Sequence, residues 1–113
     1  MFSSDRSKPV IWRFAECVTA ATTITVWTPT TSTRINLLGL DISNTSGVSN
    51  TIVISFGNLA GQRIASYAME SSTTIFPRYT TMGGIESTMY DRTLHAVAKA
   101  VPVQITAYGY EIE

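Results

Sequence analysis

The side chains able to do chemistry are few: one histidine, His95, one cysteine, Cys17, and eight carboxylates placed singly, Asp41, Glu86 and Asp91 among them. His95 stands between Leu94 and Ala96 in an alternating run, so on a strand it points away from the Leu94 face. That setting suits a structural or interface histidine better than a catalytic base. A hydrolytic triad needs nucleophile, base and orienting acid within hydrogen-bond reach, and no Gly-x-Ser-x-Gly turn anchors one here. Nothing in the spacing brings Cys17 to His95. One His and one Cys cannot build a structural zinc cage, and no Asp-x-Asp-x-Asp-Gly spacing pre-forms a calcium loop. There is no glycine-rich phosphate cradle. The expectation is a protein that is not an enzyme, with no catalytic residue, metal or cofactor.

Function then falls to surfaces, and the aromatic residues point to them. Tyr108 and Tyr110 lie two apart with Ile112 on the same side, opposite Val103, Ile105 and Ala107. A terminal strand with two apolar faces implies a cover: an arm, another subunit or a stacked sugar. Trp12 and Phe14 share one face of the first extended segment. Phe2, Trp12, Phe14, Tyr108 and Tyr110 are therefore the candidate contact residues. Arg outnumbers Lys six to two, which suits planar, bidentate pairing across a contact. The alternative is a carbohydrate-binding module with Trp27 or Tyr79 as the stacking platform.

The elements that position these residues read as all-β. Residues 1–10 form an extended arm, because Pro9 disfavours helix at Lys8 and no periodic apolar face precedes it. Residues 11–113 fall into about eight short extended segments at the spacing of a sandwich or barrel, and a single antiparallel β-sandwich is expected. The first segment, 11–18, sets Trp12, Phe14 and Val18 on one face and Cys17 on the other. In 23–27, Ile24 and Val26 turn inward and Trp27 outward. In 34–43 the apolar phase shifts from Ile35 and Leu37 to Leu38, Leu40 and Ile42, which suggests a bulge near Gly39 or burial on both faces. Residues 51–56 alternate cleanly, with Ile52, Ile54 and Phe56 on one side. Residues 63–69, 74–79, 85–90, 94–100 and 103–112 complete the set; Pro77 marks an edge or a bend. A short turn of helix in 61–70 is the competing reading there.

Bulk properties narrow the class. Formal charge is zero and only 14% of residues are charged, Thr and Ser supplying the polar surface instead. With no positive field, nucleic acid is not an expected partner. No apolar run reaches membrane-spanning length, so no membrane is expected either. A surface so poor in charge suits a protein that covers part of itself with a partner. The single cysteine cannot form an internal disulfide and is expected as a buried strand thiol. Its N-terminal residues lack the apolar core of a signal peptide, so synthesis in a cytoplasm is expected.

The chain also resembles a group of short tailed-phage virion proteins of β-sandwich or jelly-roll type. The resemblance rests on Thr23-Ile-Thr-Val-Trp-Thr-Pro29, Thr33-Arg-Ile-Asn-Leu-Leu-Gly-Leu-Asp-Ile-Ser43, Thr51-Ile-Val-Ile-Ser-Phe-Gly57, Gly84 before Leu94-His-Ala-Val, and Val103-Gln-Ile-Thr-Ala-Tyr-Gly-Tyr110. It spans about residues 20 to 112 as a pattern of strands and turns. It implies a capsid decoration, or cement, protein made in the host cytoplasm and seated on the outer surface of the virion. Its implied partners are the major capsid protein and further copies of itself, a trimer being favoured, with the N-terminal arm as a clasp. A head–tail connector or tail subunit shares these features. The pattern marks core and turns, so no family site residue carries over.

Overall fold

Alternation of apolar and polar side chains sets nearly every strand in the computed structural model, which describes residues 9–57 and 62–113. Phe2 and most of the expected arm lie outside the described residues. Nine strands appear among those described: β1 (Ile11–Cys17), β2 (Ile24–Trp27), β3 (Arg34–Asn44), β4 (Asn50–Phe56), β5 (Gln62–Met69), β6 (Thr73–Ile75), β7 (Ile85–Glu86), β8 (Leu94–Ala98) and β9 (Val103–Ile112). A single turn of 3-10 helix, Thr80–Met82, separates β6 from β7.

The strands form two antiparallel sheets. The first runs β1-β9-β3-β6, with β7 also pairing β3; the second runs β2-β8-β4-β5. With the two-residue β7 set aside, this is two four-stranded sheets whose strands interleave in sequence. That is a jelly-roll arrangement, as the resemblance implied, with nine strands among the described residues where about eight were expected. The chain can only wind this way because each strand buries one face. On β9, Val103, Ile105 and Ala107 are fully buried while Gln104, Thr106 and Tyr108 between them are not. On β4 the inward set is Ile52, Ile54 and Phe56. Leu94, Ala96 and Ala98 of β8 and Ile35, Leu37, Leu40 and Ile42 of β3 complete the core between the sheets. Each fully buried Leu, Ile or Phe contributes about 1.5–3 kcal/mol relative to leaving it exposed, so this shared layer holds the sandwich shut.

Irregularities fall where the apolar phase breaks. The β3–β9 register shifts between Leu37 and Gly39, which is the expected bulge. It leaves Leu38 half-buried and returns Leu40 and Ile42 to the core, so Leu38 is not in phase with them as expected. A second bulge, between Thr25 and Trp27, corrects the reading of β2: Val26 and Trp27 are both buried and Trp27 does not face outward. Residues 62–69 are strand, not a turn of helix, paired to β4 from Asn50↔Met69 to Phe56↔Gln62. The segments expected at 74–79 and 85–90 shrink to β6 and β7. Past Ile75 the chain leaves the ladder at Pro77, returns to β3 at the Gly39↔Arg78 bridge and pairs with it again through β7. Proline has no N–H to give a ladder, so the bend is local chemistry.

Two polar clusters tie the loops. At one end the side chains of Asn44 and Asn50, both buried, join the loops beyond the strand ends. Asn44 Nδ2 donates to the Val48 and Glu70 carbonyls, and Asn50 Nδ2 donates to Ala100 O at 2.7 Å and to Asn44 Oδ1 at 3.2 Å. Ala100 N–H donates back to Asn50 Oδ1. At the other end Glu111 accepts from Trp27 Nε1 at 2.9 Å and from Thr30 Oγ1 at 2.7 Å, which fastens the β2–β3 loop to the end of β9.

Candidate interaction face

The outer face of the first sheet is laid out by register. Across it, Trp12 of β1 opposes Tyr108 of β9, Tyr108 opposes Gly39 of β3, and Gly39 bridges to Arg78. One step along, Phe14, Thr106 and Asp41 form the next row, and Glu16, Gln104, Ser43 and Thr74 the one after. On the other side of the aromatic row stand Tyr110, Asn36 and Glu86. Alternation thus converts strands far apart in sequence into a continuous surface.

The central row is a stack. The Trp12 and Tyr108 rings lie 4.6 Å apart, 25° from parallel. The Arg78 guanidinium sits 5.3 Å from the Tyr108 ring centre and 5.5 Å from that of Phe76. Arg78 is itself held: Nη1 donates to Leu40 O at 2.8 Å, and Nη2 pairs with Asp41 at 3.2 Å. Trp12 is 57% exposed, Phe14 66% and Phe76 57%. Large aromatic side chains this open, in contiguous rows, mark a surface built to be covered.

Four of the five expected contact residues, Trp12, Phe14, Tyr108 and Tyr110, therefore share one face; Phe2 lies outside the described residues. Sequence reading missed Phe76, Arg78 and the role of Gly39. Pro77 and the phase break at Gly39 were the signals, for both mark the place where the chain folds back over β3.

The other expected positions sort differently. Trp27 is 1% exposed and Tyr79 8%, so neither is the stacking platform that a sugar would need. Trp27 lost that role to the β2 bulge. Tyr79 turns inward, where its hydroxyl and that of Tyr67 hydrogen-bond, and burial followed by that bond pushes its pKa up. Cys17 is fully buried and burial raises its pKa, so the thiol stays protonated and inert. His95 is on the outward-facing positions of the second sheet, opposite Thr25 and Ser55. Burial lowers its pKa and keeps it neutral. Cys17 points into the core from the first sheet, so the two do not meet. Among the described residues no group of three His, Cys, Asp or Glu is placed to hold a metal ion, and no helix is long and apolar enough to cross a membrane.

The fold and this face define a jelly-roll β-sandwich with an exposed aromatic row on one sheet. No family model matches the chain, and no curated protein matches it. Among solved structures it is similar to a chain from the structure described as "Bacillus endospore appendages form a novel family of disulfide-linked pili". The two share 16% identity with a TM-score of 0.50, over 91% of this chain and 89% of that one. At that identity the likeness is one of fold.

Proposed function

We propose that the chain is a structural subunit of a multi-copy protein assembly, in the form of a decoration protein that binds the outer surface of a phage capsid. The observation that carries this reading is the pre-formed row Trp12–Tyr108–Arg78–Phe76, flanked by Phe14, on an otherwise ordinary sandwich. Trp, Tyr and Arg are the residue types that dominate binding energy at protein contacts. Here they are ordered before any partner arrives, which lowers the cost of immobilising them. The sequence resemblance to short virion proteins supports the capsid setting. The action would be mass action: a subunit that binds the assembled shell and not its free components stabilises the shell by its binding free energy.

A filament subunit is the second reading, favoured by the fold likeness to a pilus-forming chain over 91% of this sequence. Quantitative mass spectrometry of purified particles separates the two. Copy number comparable with the major shell protein is the expected result. A filament made of this chain alone favours the second reading, and absence from every assembly overturns both.

A further inference from the structure

The aromatic face has the properties of a surface that fits itself. We infer that it pairs with the same face of a second copy of this chain, sheet on sheet, as a two-fold dimer; the inference rests on reading the chain as an assembling subunit and gives this row to the contact between copies, not to the shell.

The charges of the face argue for this partner. Arg78 pairs with Asp41 at 3.2 Å, Arg34 with Glu86 at 3.3 Å, and Glu16 accepts from Gln104 Nε2 at 2.8 Å. An acidic or basic partner would find these charges already engaged and would have to break them apart. A neutral, aromatic partner covers them intact, and the nearest surface of that description is this face. Beside the rings, Ser43 is bonded to Thr74, and Arg78 to Leu40 O and Asp41. A sugar stacked on Trp12 would have to compete for them.

The order of groups along the row also closes on itself. It begins with an indole at the β1 edge, Trp12, and ends with a cation against a ring, Arg78 and Phe76. A two-fold axis lying in the interface parallel to the strands reverses the row and keeps its level. The open face of Trp12 then meets the Arg78–Phe76 end of the second copy, and the reverse contact forms at the other end. This isologous arrangement needs no second kind of surface. It also uses a cation–π contact of a type the face already makes internally.

Four strands about 4.8 Å apart, among them a ten-residue β9 rising about 3.3 Å per residue and a three-residue β6, outline no more than roughly 600 Å² of flat sheet, to which the relief of the exposed aromatic side chains adds. Stable interfaces bury about 800 Å² per partner, and stacked sheets separated by about 10 Å interdigitate side chains of this size.

The test is sedimentation equilibrium of the full chain across a concentration series, with tryptophan emission read in parallel. Trp27 is 1% exposed and Trp12 57%, so an emission shift on association reports Trp12. The expected result is a two-chain species whose formation moves the emission to shorter wavelength. Trp12→Ala and Arg78→Ala should each raise the dissociation constant by about 30-fold or more, the loss expected at a hot spot of about 2 kcal/mol. Both side chains are solvent-facing, and circular dichroism checks that the variants remain folded. A chain that stays monomeric to about 100 µM, or a dimer indifferent to both substitutions, overturns the inference. A monomer that still occupies particles at high copy overturns the pairing and leaves the subunit reading standing. A dimer found in no particle or filament upholds the pairing and removes that reading.

Discussion

Tyr108 lies flat across Gly39, and a β-carbon at position 39 would come within 2.6 Å of Tyr108 Cζ. The glycine is what allows the tyrosine to bridge from Trp12 on one side to Arg78 on the other. Gly39→Ala should therefore push the ring off β3 and disconnect the row. Losing one aromatic stack and one exposed cation–π contact predicts a loss of about 1–2 kcal/mol. Because the obstacle is a movable side chain, Tyr108→Ala should remove most of the penalty of Gly39→Ala. A double-mutant cycle by chemical denaturation measures that coupling, and additive losses would show that the two residues act independently.

The second prediction concerns acid. Burial raises the Glu111 carboxyl, but hydrogen bonds from Thr30 and Trp27 outweigh it and hold its pKa below the ordinary value. A depressed carboxyl contributes stability that is fully present above the ordinary carboxylate range and is lost as the pH falls through the folded value. Glu111→Gln should thus lower the melting temperature at about pH 7, and the gap to the unsubstituted chain should narrow toward about pH 3. A gap of constant size across that range would mean that the charge of Glu111 is not what fastens Trp27 and Thr30.

Much of this architecture was legible in the residues because period-two alternation is a direct consequence of burying one face of a strand. Val103, Ile105 and Ala107 against Tyr108 and Tyr110 fixed β9, and the phase break at Gly39 located the β3 bulge. What stayed hidden depended on distant partners. Trp27 alternates outward in sequence, yet a bulge turns it into the core to meet Glu111, 84 residues away. Tyr79 has no sequence mark of the Tyr67 hydroxyl that it faces. Trp12, Phe14 and Tyr108 could be named as contact residues because Trp12 and Phe14 share one face of the first segment and Tyr108 lies on the second apolar face of the last strand. That Trp12 and Tyr108 form one row with Arg78, with Phe14 one step along, required the register of four separate segments.

The third prediction tests the buried amides. Asn44 and Asn50 are almost wholly buried, and between them they satisfy the carbonyls of Val48, Glu70 and Ala100. Asn44→Ala removes a buried side chain that donates to two carbonyls, although Ser46 Oγ still donates to Val48 O and Thr73 Oγ1 to Glu70 O. Each hydrogen bond lost costs about 0.5–1.5 kcal/mol net, so a total loss of about 1–3 kcal/mol is expected. Thr45→Ala, in the same loop but exposed, should cost far less. Equal losses in thermal denaturation would show that the loop, and not the amide network, carries the stability of that end.

The last prediction follows from Cys17, which faces the core from the end of β1 opposite Val103. Burial raises the thiol pKa, the nearby Glu16 charge adds to that, and the one opposing influence, a backbone hydrogen bond at Ala98, is the smaller. Thiol reagents attack the thiolate, so reaction needs both exposure and deprotonation, and the fold denies both. The folded chain should react with a disulfide reagent at a rate limited by opening of the β1 edge, and should react at once in denaturant. Because β1 also carries Trp12 and Phe14, covering the aromatic face should slow that opening. Protection of Cys17 that rises with protein concentration is therefore expected, and is to be lost in Trp12→Ala. Rapid labelling of the folded chain would instead mean that β1 leaves the sheet readily, and that the aromatic row on it is not held in place before a partner binds.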